Sequence, residues 1–168
     1  MDFKKFVREV PNFPKEGVVF RDISPLLADG DHFSQVIDVM CDKVGDVDAI
    51  VAPDARGFIF GAPIAAKLKK PLILVRKAGK LPGEILSKDF TLEYATTTLE
   101  IQKDAIKPGQ KVAIIDDLLA TGGTTRAAAE LINDLGGKVL NVLFFIELEH
   151  LKGREKYSGI NVESIIKY

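Results

Sequence analysis

Between Lys111 and Ala128 the chain reads KVAIIDDLLATGGTTRAA. The run Val112 to Ile115 has the apolar continuity of a buried strand. Asp116 and Asp117 sit where that strand ends, and Leu118 to Gly123 form a loop before a helix starts. In open parallel sheets ligands bind beyond the carboxyl ends of the strands. A helix N-terminus adds unpaired N–H groups and the positive end of a dipole, which suit a phosphate. Gly122 and Gly123 let the backbone approach an anion with no Cβ in the way, and Thr121, Thr124 and Thr125 add hydroxyl donors. The two carboxylates cannot be phosphate ligands. They can accept hydrogen bonds from neighbouring ribose hydroxyls or hold a divalent metal. No Gly-Lys-Ser/Thr follows the glycines and no G-x-G-x-x-G is present, so this is neither a P-loop nor a dinucleotide fingerprint. An ordinary strand–turn–helix connection with polar ends is the competing reading, and the paired aspartates and clustered threonines weigh against it.

Two further segments have the same placing. In APDARGFIFG, Ala52 to Gly61, a strand runs into a helix start with Asp54 and Arg56 at the junction. An arginine there can fork onto a second phosphate group, with a solvated turn charge as the alternative. In RKAGKLPG, the basic residues Arg76, Lys77 and Lys80 follow another strand. A plain charge run is the alternative there. With all three segments at the carboxyl ends of parallel strands, one crevice forms, with a ribose-phosphate end and a basic end. Its natural ligand is a ribose carrying a monophosphate and a diphosphate. Glu93 and Tyr94 lie in TLEYATTTLEIQ. A carboxylate on a mobile lid could serve as a general acid or base, or be a surface charge.

The elements that must position these residues follow from periodicity. Phe3, Phe6, Val7 and Val10 predict a helix over Asp2 to Val10, stopped by Pro11. The proline-rich stretch to Leu27 reads as an extended, turn-rich arm. Asp31 to Val44 is helical, with Asp31 as candidate N-cap. Ala49–Ala52, Leu72–Val75, Val112–Ile115 and Val139–Ile146 are buried strands. Helices are expected over Gly57–Lys69, with irregular first turns at Gly61 and Pro63, and over Thr124–Leu135. Buried strands alternating with helices indicate an α/β fold with a parallel, doubly wound sheet. Gly79 to Gln102 reads as a long loop leading into antiparallel strands, with Thr96, Thr98 and Glu100 forming the polar face.

Composition sets the outer bounds. The 168 residues suffice for one domain, and 46% hydrophobic with 28% charged residues is ordinary for a globular protein. The formal net charge of -1 supplies no global field for nucleic acid or an anionic membrane, so any anion must meet a local site. The single cysteine, Cys41, excludes a disulfide within the chain and reads as a small core residue. The N-terminal MDFKKFVREV lacks the apolar run of a signal peptide, and no eighteen consecutive apolar residues occur, so a cytoplasmic protein is expected.

FPKEGVVFRDISPLL, ARGFIFG, RKAGKLPG, LEYATTTLEIQKDAIKPGQ, IDDLLATGGTTRAA and LKGREK occur in this order. Together, over nearly the whole chain, they resemble segments of the phosphoribosyltransferase family. The Asp116–Asp117 pair with ATGGT resembles its signature loop. Asp-Asp at that point, where hypoxanthine-guanine enzymes usually have Glu-Asp, favours the adenine-using branch. The resemblance implies a type I phosphoribosyltransferase-like fold: a parallel twisted sheet flanked by helices in a single domain, 1–168. An N-terminal helix and base-binding arm or hood would span 1–30, and a flexible antiparallel lid 79–102. It implies purine salvage, in which adenine and phosphoribosyl diphosphate give AMP and pyrophosphate. Mg²⁺ would be bound mainly through phosphoribosyl diphosphate, and the enzyme would be a homodimer.

The resemblance also implies roles. Asp116 and Asp117 would hold the ribose hydroxyls, and Ala120, Thr121, Gly122, Gly123 and Thr124 would wrap the 5′-phosphate. Arg56, Arg76, Lys77 and Lys80 would face the diphosphate. The Asp54–Ala55 peptide sits where the family often has a cis bond whose N–H serves the diphosphate. Adenine would lie between Phe20-side and Leu118-side apolar surface, read by the backbone of Val19 and by Arg21. Glu93, Tyr94 and Arg56 are the catalytic candidates, with Glu93 hydrogen-bonding or protonating the purine and Tyr94 closing over the reacting carbons. Transfer to another purine is the nearer alternative. A phosphoribosyl-diphosphate-sensing regulator is the farther one, since such a protein would usually carry a DNA-binding segment and a basic face.

Overall fold

The computed structural model describes residues 2–92 and 95–168, with only the backbone at 91, 92 and 95. They form two compact units, residues 1–39 and 40–168. In the first unit a short 3-10 helix, Phe3–Phe6, is capped by Asp2, which accepts the Lys4 N–H at 3.1 Å. The expected helix to Val10 does not continue. Arg8–Pro11 is instead strand β1, paired antiparallel with β2, Val19–Asp22. Nine residues are too few for a helix to hold by itself. The hairpin offers this segment ladder bonds and the cross-strand Arg8–Asp22 and Arg21–Glu9 ion pairs. The arm is also less extended than expected, because Ser24–Leu27 forms a short helix, α1.

Helix α2, Gly30–Val44, begins one residue earlier than its expected cap. Asp29, not Asp31, caps it: one carboxylate oxygen accepts the His32 N–H at 3.1 Å and the other meets His32 Nδ1 at 2.7 Å. Asp31 lies within the first turn, where its charge suits the helix dipole. Cys41 is half-buried on this helix.

The second unit is a seven-stranded sheet. Its elements are β3 (Ala49–Pro53), α3 (Gly57–Leu68), β4 (Leu72–Lys77), β5 (Ile85–Leu92), β6 (Ala95–Gln102), β7 (Lys111–Leu119), α4 (Gly123–Asp134), β8 (Lys138–Glu147) and β9 (Asn161–Lys167). The strand order is β5-β6-β4-β3-β7-β8-β9. Strands β4, β3, β7, β8 and β9 run parallel, whereas β6 is antiparallel to β4 and to β5. Side chains alternate across the sheet. Ala49, Val51, Val112, Ile114, Val142 and Phe144 join Ala128, Leu131 and Ile132 of α4 in one buried cluster. On the other face Gly61 of α3 sits so close to Ala52 that a Cβ would meet the alanine Cβ at 2.6 Å, and Phe60 stacks on Phe145 at 5.5 Å. Helix α3 runs through Pro63 without a break, though its first turn carries the tighter Phe58–Ala55 and Ile59–Arg56 bonds and Pro63 has no N–H to donate.

Two other expectations need correction. Strand β7 does not stop before the aspartates: Asp116 pairs with Phe144 and Leu119 with Glu147, because β8 runs on to Glu147 and continues the ladder. The polar alternation in β6 breaks at Glu100, which is buried beside Leu99 and Ile101. Strand β9 has no counterpart in the sequence reading. It is an edge strand in which Val162 and Ile166 are buried, and it carries no continuous apolar run.

Candidate active site

The path from β3 through α3 leads to β4 on one side, and the path from β7 through α4 leads to β8 on the other. The strand order therefore reverses between β3 and β7, and the crevice beyond their carboxyl ends is where ligands bind in such sheets. Arg56 at the end of the β3 loop reaches across it, with Nε 2.8 Å from Asp117 Oδ2. The crevice can be this narrow because α3 starts on Gly57. A Cβ there would stand 2.8 Å from Pro53 Cδ, 3.0 Å from the Ile115 carbonyl and 3.1 Å from Asp116 Oδ1. The Asp54–Ala55 peptide is cis.

Beside this crevice lies a cavity of about 180 Å³ lined by Asp116, Leu118 and the loop from Ala120 to Thr125. Gly122 is the N-cap of α4, in a left-handed conformation with φ +77° that favours glycine. The first-turn N–H groups that follow have no partner within the helix. Thr125 departs from expectation. Its side chain is buried, and its hydroxyl meets the Tyr157 hydroxyl, not an incoming anion. Thr121 and Thr124 remain half-buried on the cavity wall.

The basic end is organised by a carboxylate. The Asp54 side chain is 4% exposed and draws in Arg76 Nε at 3.2 Å and Lys80 Nζ at 3.5 Å. Arg76 also lies over the Phe58 ring, 5.8 Å from its centroid, and donates to the Lys80 carbonyl at 3.4 Å. Lys77 is exposed. Glu100, opposite Arg76 in the ladder, accepts the Gly79 N–H at 3.0 Å and so fixes the turn that carries these cations. Its part was not visible in the sequence, where it reads as a solvent-facing member of a polar alternation.

The aspartate pair is under electrostatic load. Burial pushes the Asp116 carboxyl well above the usual carboxylate range, and the charge of Asp117 pushes it further. Burial also raises Asp117, with the Arg56 guanidinium pulling against it. Two adjacent carboxylates, Asp117 buried and Asp116 half-buried, are costly by themselves, and such cost concentrates where a ligand supplies the missing donors.

Residues 27–167 match the phosphoribosyl transferase domain. The chain belongs to the phosphoribosyltransferase family. It is 54% identical to the adenine phosphoribosyltransferase of Mycoplasma mobile over 167 residues, covering 99% of this chain and 97% of that one. The crystal structure of adenine phosphoribosyltransferase from Thermoanaerobacter pseudethanolicus superposes with a TM-score of 0.96 at 48% identity, covering 99% of this chain and 98% of that chain. The Saccharomyces cerevisiae enzyme, complexed with adenine and an imino-altritol bisphosphate, superposes with a TM-score of 0.92 at 38% identity, covering 98% and 96%.

Within this phosphoribosyltransferase fold, the second unit brings together Asp54, Ala55, Arg56, Arg76, Lys80, Asp116, Asp117, Leu118 and the loop to Thr124. Val19, Phe20 and Arg21 lie in the first unit on β2, with Arg21 paired to Glu9. Glu93 and Tyr94 lie outside the described residues. The sequence reading left LKGREK without a role. Its Gly153 seats against the Ala120 carbonyl, and Tyr157 just beyond it touches the loop from Ala120 to Thr125.

Proposed function

We propose that the protein transfers the 5-phosphoribosyl group of phosphoribosyl diphosphate to adenine, giving AMP and pyrophosphate, as a purine-salvage enzyme. The carrying observation is the crevice at the strand-order switch, with its glycine-threonine loop, its aspartate pair and its basic turn. Adenine phosphoribosyltransferases about half identical over their full length support the choice of base.

In this reading C1′ develops oxocarbenium character as the diphosphate departs. Ala120 to Thr124 hold the 5′-phosphate, and Asp116 and Asp117 accept from the ribose hydroxyls. Arg56, Arg76, Lys77, Lys80 and the Ala55 N–H face the charge that builds on the leaving group. Val19, Phe20, Arg21 and Leu118 hold adenine, Glu93 hydrogen-bonds or protonates the ring, and Tyr94 covers the reacting carbons. Anchoring the sugar at the phosphate end and the base at the other makes much of the acceleration positional. Residues 79–102 act as the lid that excludes water, which would hydrolyse the activated sugar, and residues 1–168 work as a single domain.

Among the described residues no group of three His, Cys, Asp or Glu side chains could cage a metal. Mg²⁺ would be held mainly by the oxygens of phosphoribosyl diphosphate and water. Bound so, it would supply charge neutralisation to the leaving diphosphate, beside Arg56, Arg76 and Lys80. A homodimer joined through residues 8–27 accounts for the exposed Phe13 and Leu27. The lone cysteine fits the cytoplasm, and no helix among the described residues is long and apolar enough to cross a membrane.

The test is incubation with phosphoribosyl diphosphate, Mg²⁺ and each purine base in turn. AMP from adenine is the expected product, formed faster than any nucleotide from guanine, hypoxanthine or xanthine. No AMP from adenine sinks the proposal.

A further inference from the structure

Tyr157 approaches the phosphate-binding loop from inside the protein. Its hydroxyl donates to the Gly122 carbonyl at 3.1 Å and meets the Thr125 hydroxyl. The same carbonyl accepts the Arg126 N–H at 3.1 Å. Two donors thus hold the Gly122 carbonyl toward the protein. The Gly122–Gly123 peptide is not among the cis bonds of the chain, and across a planar trans peptide the C=O and N–H point opposite ways. The Gly123 N–H is therefore held toward the cavity that Gly123 lines. Selection from outside matters because a glycine pair has little conformational preference of its own.

Tyr157 is itself held firmly. The 3-10 turn Gly153–Lys156 precedes it, and Gly153 lies so close to Ala120 and Leu119 that a Cβ has no room. Arg154 in that turn forks onto Glu147 of β8, with Nε–Oε1 3.0 Å and Nη2–Oε2 2.6 Å, and donates to the Val162 carbonyl of β9. A chain of contacts thus runs from the β8–β9 edge through Arg154 and Tyr157 to the loop. Burial pushes the Tyr157 phenol up to about 12, so its proton stays available at working pH.

We infer that Tyr157 is a positioning residue: through the Gly122 carbonyl and Thr125 it aims the loop's N–H groups and sets affinity for the 5′-phosphate end of the substrate without touching it. This rests on the proposed assignment of the loop to the 5′-phosphate. Tyr157→Phe keeps the ring and removes the hydroxyl. Calorimetric binding of ribose 5-phosphate, which engages the loop, is compared with that of pyrophosphate, which engages the basic end. Ribose 5-phosphate is expected to bind about fivefold to thirtyfold more weakly, the scale of one buried hydrogen bond, with pyrophosphate unchanged within about twofold. In turnover, KM for phosphoribosyl diphosphate rises by a similar factor and kcat holds. Thr125→Val shows the same split, and the double variant is no worse than Tyr157→Phe because both act on one contact. Unchanged ribose 5-phosphate binding, or equal weakening of both ligands, overturns the inference. If the wild-type protein makes no AMP, the proposed function falls, while the calorimetric comparison still decides on Tyr157.

Discussion

At the scale of single residues, the site is built from groups that oppose folding when left alone. Asp116 carries the clearest cost. Its carboxyl is raised by burial first and by Asp117 second. A carboxyl raised in the folded state keeps a proton that the unfolded chain has released. Stability therefore falls as pH climbs from the ordinary value of 3.8 through the raised one, and the full cost is present above it. Asp116→Asn keeps an oxygen to accept the Asp117 N–H, now 2.9 Å from Oδ1, and removes the charge. It is expected to stabilise the protein by about 1 kcal/mol at neutral pH, with the gain shrinking in acid. It should also lower kcat/KM for phosphoribosyl diphosphate about tenfold to a hundredfold, through the loss of charge-assisted hydrogen bonds to ribose. Urea midpoints across pH, set beside steady-state kinetics, check both halves. A variant less stable than wild type at neutral pH would show that Asp116 serves the fold.

At the scale of elements, the strand ends set the chemistry, and what lies behind them sets the strand ends. Strand β8 carries Glu147, whose buried carboxylate receives Arg154 and, at 2.5 Å, the Ser164 hydroxyl of β9. The Arg154 hydrogen bond, then that of Ser164, holds the Glu147 carboxyl below its ordinary 4.5 against the raising effect of burial. The sign is opposite to that of Asp116: the stability this pair contributes is fully present above 4.5 and is lost as pH falls through the lowered value. Glu147→Gln is expected to cost about 1–3 kcal/mol at neutral pH, discounted for the partly exposed guanidinium. The difference from wild type should close in acid, as pH falls through the lowered value and the wild-type carboxylate takes up its proton. Denaturant melts at the two pH values decide it, and a penalty independent of pH would mean that packing, not charge, is what the glutamate supplies.

At the scale of the whole molecule, the separated anchors predict a ligand response. Phosphoribosyl diphosphate would touch loops after β3, β4 and β7, so its binding free energy adds to the stability of the second unit as a whole. At a hundredfold excess over its dissociation constant this is about 2.7 kcal/mol. For a chain of this size it raises Tm by about 5–10 °C. A thermal scan should show that shift with phosphoribosyl diphosphate and Mg²⁺, and most of it should vanish with a chelator. A full shift in the chelator would mean that the metal has no part in binding.

The sequence by itself determined the parallel sheet and the strand ends at which the candidate site lies. Continuous apolar strands such as Ala49–Val51 and Val112–Ile115 are buried on both faces, and the groups at their ends have few other roles to play. ATGGT, Asp116–Asp117, Arg56 and the Arg76–Lys80 run carry their chemistry in residue type and spacing, and local rules suffice to read them. Tertiary structure decided the rest. Asp2–Val10 fits a helix locally, but a strand partner ten to fourteen residues away claims its last three residues. Glu100 looks solvated until the Gly79 turn folds against it. Thr125 looks like an anion donor until Tyr157, thirty-two residues on, takes its hydroxyl. These outcomes depend on partners distant in sequence, and the pattern of residues around a position carries no record of which distant group will arrive there.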